Sequence, residues 1–413
     1  MKIGVLKETF PGERRVSLVP TSLPRLRKAG AEIIVEAGAG AAAGYPDARY
    51  EAEGATIADR DRVLAADVVL GVRILGSAGA EWTSAIEGLS AEAILIGMCD
   101  PLGEAGAIAS AAERGWTVFA LELIPRITRA QRMDVLSSMA TVAGYRAVLL
   151  AAVELPRMFP LLMTAAGTIT AARVFVIGAG VAGLQALATA KRLGAVCRAY
   201  DVRAATREQV ESVGAKFIEL SLPEESAEDK GGYAKQLAEE FYQKQRELMA
   251  SVVAESDVVI TTAAIPGKPS PLLITKAAVE GMPPGSVVVD LAAERGGNCE
   301  VTQADQRVVT GGGVTILGPT NLPSEVPYHA SLMFSNNVTN FLLNMIQEGS
   351  IVIDLDDEII RETLAARGGE VVQPRLRSIL DLPPLSAAEP AGEDRSTPNE
   401  GESPESDSGG TGG

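Results

Sequence analysis

Gly178, Gly180 and Gly183 stand in the order G-x-G-x-x-G within GAGVAG, directly after the apolar run Arg173–Ile177 and directly before the helical pattern VAGLQALATAKRLG. The next apolar run ends in Asp201, twenty-three residues after Gly178. Glycine spacing alone is a weak signal. A strand before it, a helix after it and an acidic residue closing the following strand make it a dinucleotide unit. In such a unit Gly178 permits the tight turn, Gly180 lets a pyrophosphate approach the backbone, and Gly183 lets the helix pack close to the strand; Ala179 and Val181 complete the turn. The helix start presents unpaired N–H groups and partial positive charge to the phosphates. Asp201 is able to accept from both ribose hydroxyls, and its charge repels a 2′-phosphate, which favours NAD over NADP. Arg203, two residues on, is placed to soften that preference.

A second group lies in PRITRAQRMDVLSSMATVAGY, residues 125–145. Arg126, Arg129 and Arg132 crowd before a helix carrying Asp134, Ser137 and Tyr145, a density of donors and acceptors suited to gripping a polar ligand. The competing reading is structural: Thr128 and Gln131 have the spacing of a capping box, and the arginines are then solvated. A third group, Lys7, Glu8, Arg14 and Arg15, follows the first apolar run. Carboxyl ends of strands line the crevice of an open α/β sheet, so a carboxylate site is conceivable there, although solvated loop charges are the plainer reading.

Absences narrow the chemistry. His329, in VPYHAS, is the one histidine, which excludes a histidine metal cluster, and it reads as a loop or packing residue rather than a catalytic acid, which argues against a Ser-His-Asp triad. Cys99, Cys197 and Cys299 are widely spaced within or beside apolar runs, which offers neither a disulfide framework nor a zinc spacing and fits a reducing cytosol. No metal site is expected. Oxidation of an alcohol or amine needs a proton acceptor, most often histidine, whereas hydride exchange between two nicotinamides needs only alignment of the rings.

The elements that must position these groups form two series. KIGVL, EIIVEAG, DVVLGVRI, AILIGM and TVFALEL lie between Lys2 and Leu123; RVFVIG, VCRAYD, DVVITT, SVVVDL and VTIL lie between Arg173 and Leu317. Near-continuous apolar runs alternating with helical patterns predict parallel strands covered on both faces, so the fold class is α/β with two Rossmann-like doubly wound sheets. A long helix over Asp134–Leu155 bridges them, with Asp134, Ser137, Thr141 and Tyr145 on one polar face. The apolar stretch Ser335–Ile346 reads as a return into the first unit. The expected division is 1–133 with 325–385, then 134–324, then a disordered acidic tail over 386–413. A charged segment before Gly231–Gly232–Tyr233 and a charged helix from about Ala234 to Ser251 read as an insertion with a mobile loop.

The 413 residues carry 37 basic and 53 acidic side chains, a net −16. Such a balance argues against a generic electrostatic hold on nucleic acid or anionic lipid. The tail accounts for −6 of it, which leaves a moderately acidic body. No leader pattern is visible, and the uncharged run Val174–Ala190, with its three glycines, reads as strand, turn and helix rather than a membrane span.

At GERRVSLVP, PRITRAQRMDVLSSMATVAGYRAVLLAA, VIGAGVAGLQA and AAIPGKPSP the chain closely resembles the NAD(H)-binding domain of proton-translocating NAD(P) transhydrogenase, from Met1 to about Ile346. The resemblance implies the separate first portion of a split alpha subunit, a soluble homodimer that binds NAD(H) and passes hydride to NADP(H) held by a partner subunit. It implies a cytoplasmic location, peripherally attached to the inner membrane through the membrane portion of the alpha subunit and the beta subunit. Carried over, Arg126, Gln131, Asp134 and Ser137 stand at the hydride-transfer face, with Ile127, Thr128, Arg129 and Ser138 in the same nicotinamide-positioning stretch. Gly232 and Tyr233 match a mobile loop that closes over nucleotide, Asp201, Val202 and Arg203 the adenosine ribose, and Ala263 and Ala264 a turn flanking the cofactor. Alanine dehydrogenase shares the fold and is the alternative. That enzyme needs a lysine and a histidine in the first domain, where this chain has Arg73 in GVRILG and no histidine in IGMCDP, and an aspartate where it has Glu294.

Overall fold

The computed structural model describes residues 1–80, 82–219, 246–247 and 249–385. Gly232, Tyr233, most of the charged helix expected near them and the acidic tail lie outside the described residues.

Each of the ten apolar runs forms a strand, and the strands assemble into two sheets of the same winding. In the first, Lys2–Val5 lies between Glu32–Glu36 and Val68–Arg73, with Thr56–Ala58 outside one neighbour and Ile94–Met98 and Thr117–Ala120 beyond the other, all parallel. In the second, Arg173–Ile177 lies between Val196–Tyr200 and Val258–Thr261, followed on one side by Lys216–Phe217 and on the other by Val287–Asp290 and Thr315–Leu317. These strands are buried almost throughout because helices cover both faces, which is why their sequences are continuously apolar rather than alternating. In each sheet the chain leaves the central strand toward opposite neighbours, and the crevice at that strand's carboxyl end is the place where such sheets bind ligands.

Edges depart from the sequence expectation. Leu364–Arg367 and Glu370–Val371 return antiparallel onto Thr117–Ala120 in the first sheet, and Arg307–Val309 adds an antiparallel edge to the second. A two-stranded hairpin, Leu162–Thr164 with Gly167–Ile169, stands apart from both sheets.

Two long helices join the units. Val135–Glu154 starts from the cap residue Asp134 and ends at Leu155. Among the described residues it is the helix long and apolar enough to span a membrane by length and composition. Its apolar residues are used in packing: Val135, Met139 and Val142 enter the first core, and Ala147, Val148 and Ala151 enter the second. Pro327–Met345 starts earlier than the sequence stretch indicated and lays Phe334, Val338 and Phe341 into the first core, where Phe341 meets Phe119 edge to face at 5.5 Å.

Candidate active site

The glycine turn has the geometry its spacing implies. Gly178 sits at φ +97°, a left-handed conformation that a β-carbon would strain and that would also press against Thr262 Oγ1. A β-carbon at Gly183 would overlap the Gly178 carbonyl oxygen, so the helix lies against the turn only because Gly183 has none. At Gly180 a β-carbon would meet nothing within 4 Å, which leaves the approach to the helix start open. The helix Val181–Arg192 begins at Gly180 without a side-chain cap, and Val181 is exposed there. Ala179 points inward and is buried.

Asp201 is anchored beneath that turn. The Ala179 N–H donates to its Oδ2 at 2.8 Å, and Arg203 donates to it three times: backbone N–H to Oδ1 at 2.8 Å, Nε to Oδ1 at 2.9 Å and Nη2 to Oδ2 at 2.9 Å. Burial works to raise the Asp201 carboxyl, but these hydrogen bonds outweigh it and hold the group below its ordinary value. Val202 is exposed beside it. The Ala263 turn is clamped by buried Asn298, whose Oδ1 accepts from the Ala263 N–H and whose Nδ2 donates to the Ala263 carbonyl; Ala264 is exposed.

The junction segment is tied to this turn by a close helix crossing. A β-carbon at Gly144 would overlap the Ala182 carbonyl oxygen, so the long helix touches the first turn of the dinucleotide helix at that point. Ser137 stands seven residues earlier, roughly 10 Å along the helix axis. Asp134 caps the helix: its Oδ1 accepts from the Ser137 N–H and its Oδ2 from the Ser137 hydroxyl. The expected pair of site residues therefore also holds the helix start. Ser138 follows in that turn, its N–H on the Asp134 carbonyl.

Thr128–Met133 is a 3₁₀ turn with Ile127 before it, and Thr128 does not cap it, so the capping-box reading of Thr128 and Gln131 is wrong. The short tight turn ends at Asp134, which takes the capping role instead. Arg126 and Gln131 are exposed, and neither side chain has a hydrogen bond or ion pair among the described residues. Arg129 differs, because its guanidinium is paired with Asp357 at 2.5 Å and 3.0 Å. Ile127 packs on the first core.

The third group departs from its solvated reading. Glu13 and Arg15 are buried. Arg15 places Nε and Nη2 on the two Glu13 oxygens at 2.8 Å and 2.6 Å, and Arg73, Asn321 and Ser324 also donate to Glu13. Burial opposes ionisation of Glu13, yet the Arg15 guanidinium holds it at about 2. Glu8 accepts from the Val72 and Arg73 N–H groups, and burial together with the nearby Glu13 charge pushes it up to about 7. The sequence signal lay in Glu13 two residues before Arg15, but its partners Asn321 and Ser324 are some three hundred residues away. His329 is exposed on the first turn of its helix, with its ring edge to face with Tyr328. No group of three or more histidine, cysteine or acidic residues able to hold a metal is found among the described residues.

Residues 4–143 match the family model of the alanine dehydrogenase/PNT N-terminal domain and residues 147–374 that of the alanine dehydrogenase/PNT C-terminal domain. A protein of Rhodospirillum rubrum, named as the first part of NAD(P) transhydrogenase subunit alpha, is 46% identical over 381 residues, covering 91% of this chain and 99% of its own. The crystal structure of a transhydrogenase from Sinorhizobium meliloti superposes with a TM-score of 0.79 at 43% identity, covering 91% of this chain and all of that one. Alanine dehydrogenase of Bacillus subtilis is 28% identical over 379 residues, covering 90% of this chain and 92% of its own.

Proposed function

Because the chain belongs to the alanine dehydrogenase/PNT family and groups there with the NAD(P) transhydrogenase alpha subunits, we propose that it is the NAD(H)-binding component of a proton-translocating transhydrogenase. The observation that carries this reading is the open cradle at Gly180, joined through the Gly144 crossing to a segment whose Arg126 and Gln131 have no partner of their own among the described residues.

The residues present fit a dinucleotide. The uncapped N–H groups from Gly180 onward would hold the pyrophosphate, Asp201 the adenosine ribose with the exposed Val202 and Arg203 at its edge, and Ala263–Ala264 the flank. Bound there, NAD(H) supplies the hydride exchanged with NADP(H) on a partner subunit. Arg126 and Gln131 orient the nicotinamide end, and Asp134 with Ser137 keeps the helix start in place beneath them. No acid or base is required of them, since the task is alignment. The first crevice supports the same reading: its Arg15 is already taken by Glu13 and is not free for the carboxylate of a small amino acid.

Residues 1–133 with 325–385 and residues 134–324 act as two domains hinged on the long helices. Proton translocation belongs to separate membrane chains, the remaining portion of the alpha subunit and the beta subunit, which hold this chain peripherally at the cytoplasmic face of the inner membrane. A homodimer is supported by the apolar side chains that the free-standing hairpin leaves in solvent, Leu161, Ile169 and Met163, the last 82% exposed.

The test is to titrate the purified chain with NADH and NADPH, offer it alanine with NAD, and then add an NADP(H)-binding partner domain. Binding of NADH, silence with alanine and hydride exchange only with the partner are expected. Arg126→Ala should slow exchange about tenfold or more with little change in NADH affinity. Turnover of alanine by the chain alone would replace this reading with the dehydrogenase.

A further inference from the structure

We propose that Arg203 is a specificity-determining side chain that must leave Asp201 before an adenosine ribose can bind there, and that it narrows the discrimination between NAD(H) and NADP(H). The inference rests on the reading of the Gly178–Asp201 unit as an NAD(H) site.

A carboxylate offers about four lone-pair positions, and all four on Asp201 are taken. Oδ1 receives the Arg203 backbone N–H and Nε; Oδ2 receives the Ala179 N–H and Arg203 Nη2. Two of the four donors are backbone groups in a fixed turn. The Arg203 carbonyl is itself held by the Thr206 N–H at 3.0 Å and the Thr206 hydroxyl at 2.8 Å, so the backbone donor stays in place whatever the side chain does. The other two donors belong to one guanidinium. The Arg203 side chain is 59% exposed while that of Asp201 is 5% exposed, which leaves the guanidinium as the group free to move.

When it swings out, one position opens on each oxygen. A vicinal diol brings two O–H donors at the spacing of the two oxygens of a carboxylate, so ribose and guanidinium compete for the same pair of sites. Release of the ion pair subtracts from the affinity for NAD(H). The displaced guanidinium remains tethered at the edge of the ribose, where a 2′-phosphate would meet a planar two-pronged donor. A nucleotide with that phosphate therefore gains from the same side chain that its phosphate-free counterpart has to displace.

The test is calorimetric titration of the full chain with NADH and with NADPH, comparing the parent, Arg203→Ala, Asp201→Asn and the double variant. Arg203→Ala should bind NADH roughly three- to tenfold more tightly and NADPH more weakly by a similar factor. In the Asp201→Asn background the same change should give no gain for NADH, because the competition has been removed. If Arg203→Ala binds NADH no more tightly than a parent that does bind it, or if the gain persists without Asp201, the inference falls while the NAD(H) reading stands. If the parent does not bind NADH, the reading falls and takes the inference with it.

Discussion

At the carboxyl end of Lys2–Val5 the chain places Glu8, Glu13 and Arg15, and at the carboxyl end of Arg173–Ile177 it places Gly178, Ala179 and Gly180. The two positions are equivalent in winding, each at the point where neighbouring strands leave in opposite directions. The first crevice is filled by the protein's own ions: Glu13 is ringed by donors from Arg15, Arg73, Asn321 and Ser324. The second leaves the approach to Gly180 open, with the charge set back on Asp201, which accepts from the Ala179 N–H beneath the turn. One sheet architecture thus carries an ion-paired cluster at one switch point and an open glycine turn at the other, and the side chains that reach each crevice, some from far along the chain, make the difference.

Removing the anchor is the harshest way to break this comparison. Glu13→Ala leaves the Arg15 guanidinium buried without its partner and should cost about 3–5 kcal/mol of stability, measured by denaturant unfolding. NADH affinity measured below the transition should stay within about twofold, since the cradle is built from other residues. An unchanged midpoint would mean that the cluster does not close the first crevice. On the second side, Gly144→Ala forces a β-carbon into the Ala182 carbonyl and should cost about 3 kcal/mol while weakening NADH binding, because it separates the junction segment from the dinucleotide helix. Equal NADH affinity in that variant would uncouple the crossing from the site.

The smallest effect is a pH dependence that separates the halves. Glu122 sits at the end of Thr117–Ala120 with Oε1 on the Cys99 and Asp100 N–H groups and Oε2 buried without a partner among the described residues, and burial pushes it up to about 7. An unfolded carboxyl titrates near 4.5, so between those values the folded state binds more protons and stability falls as pH rises. Asp201 in the second half has its carboxyl held low instead, so its contribution is present at neutral pH and is lost as pH falls through the folded value. The parent should lose about 2 kcal/mol between about pH 5 and pH 8 that Glu122→Gln does not lose, read from denaturation midpoints at the two pH values. Parallel pH slopes would remove Glu122 from the account.

Much of the fold was legible because burial on both faces writes itself as continuous apolar runs. Strands such as Val258–Thr261 and Val287–Asp290 are apolar over nearly their whole length and match the sequence reading closely. The edges were not legible: Arg307–Val309, Lys216–Phe217 and Glu370–Val371 are two or three residues long and half solvated, so no pattern marks them. In the site, the glycine turn and Asp201 follow from spacing, since a strand, a glycine turn and a helix start are local in sequence. Gly144 gave no such signal. A glycine inside a helix looks merely unfavourable until the neighbouring helix is seen against it.

What the sequence determined alone is therefore whatever depends on neighbours along the chain: the winding of both sheets, the glycine cradle, the helix start at Asp134 and the lack of a histidine in either crevice. Tertiary structure decided which charges are free. Arg15, Arg129 and Arg203 read alike as basic residues near a site, yet one is buried against Glu13, one is paired with Asp357 and one closes over Asp201, while Arg126 has no partner among the described residues. The reason is physical. A charge is disposed of by whichever opposite group comes within about 3 Å, and for Arg129 that group comes from more than two hundred residues away, a distance along the chain that composition and periodicity do not encode.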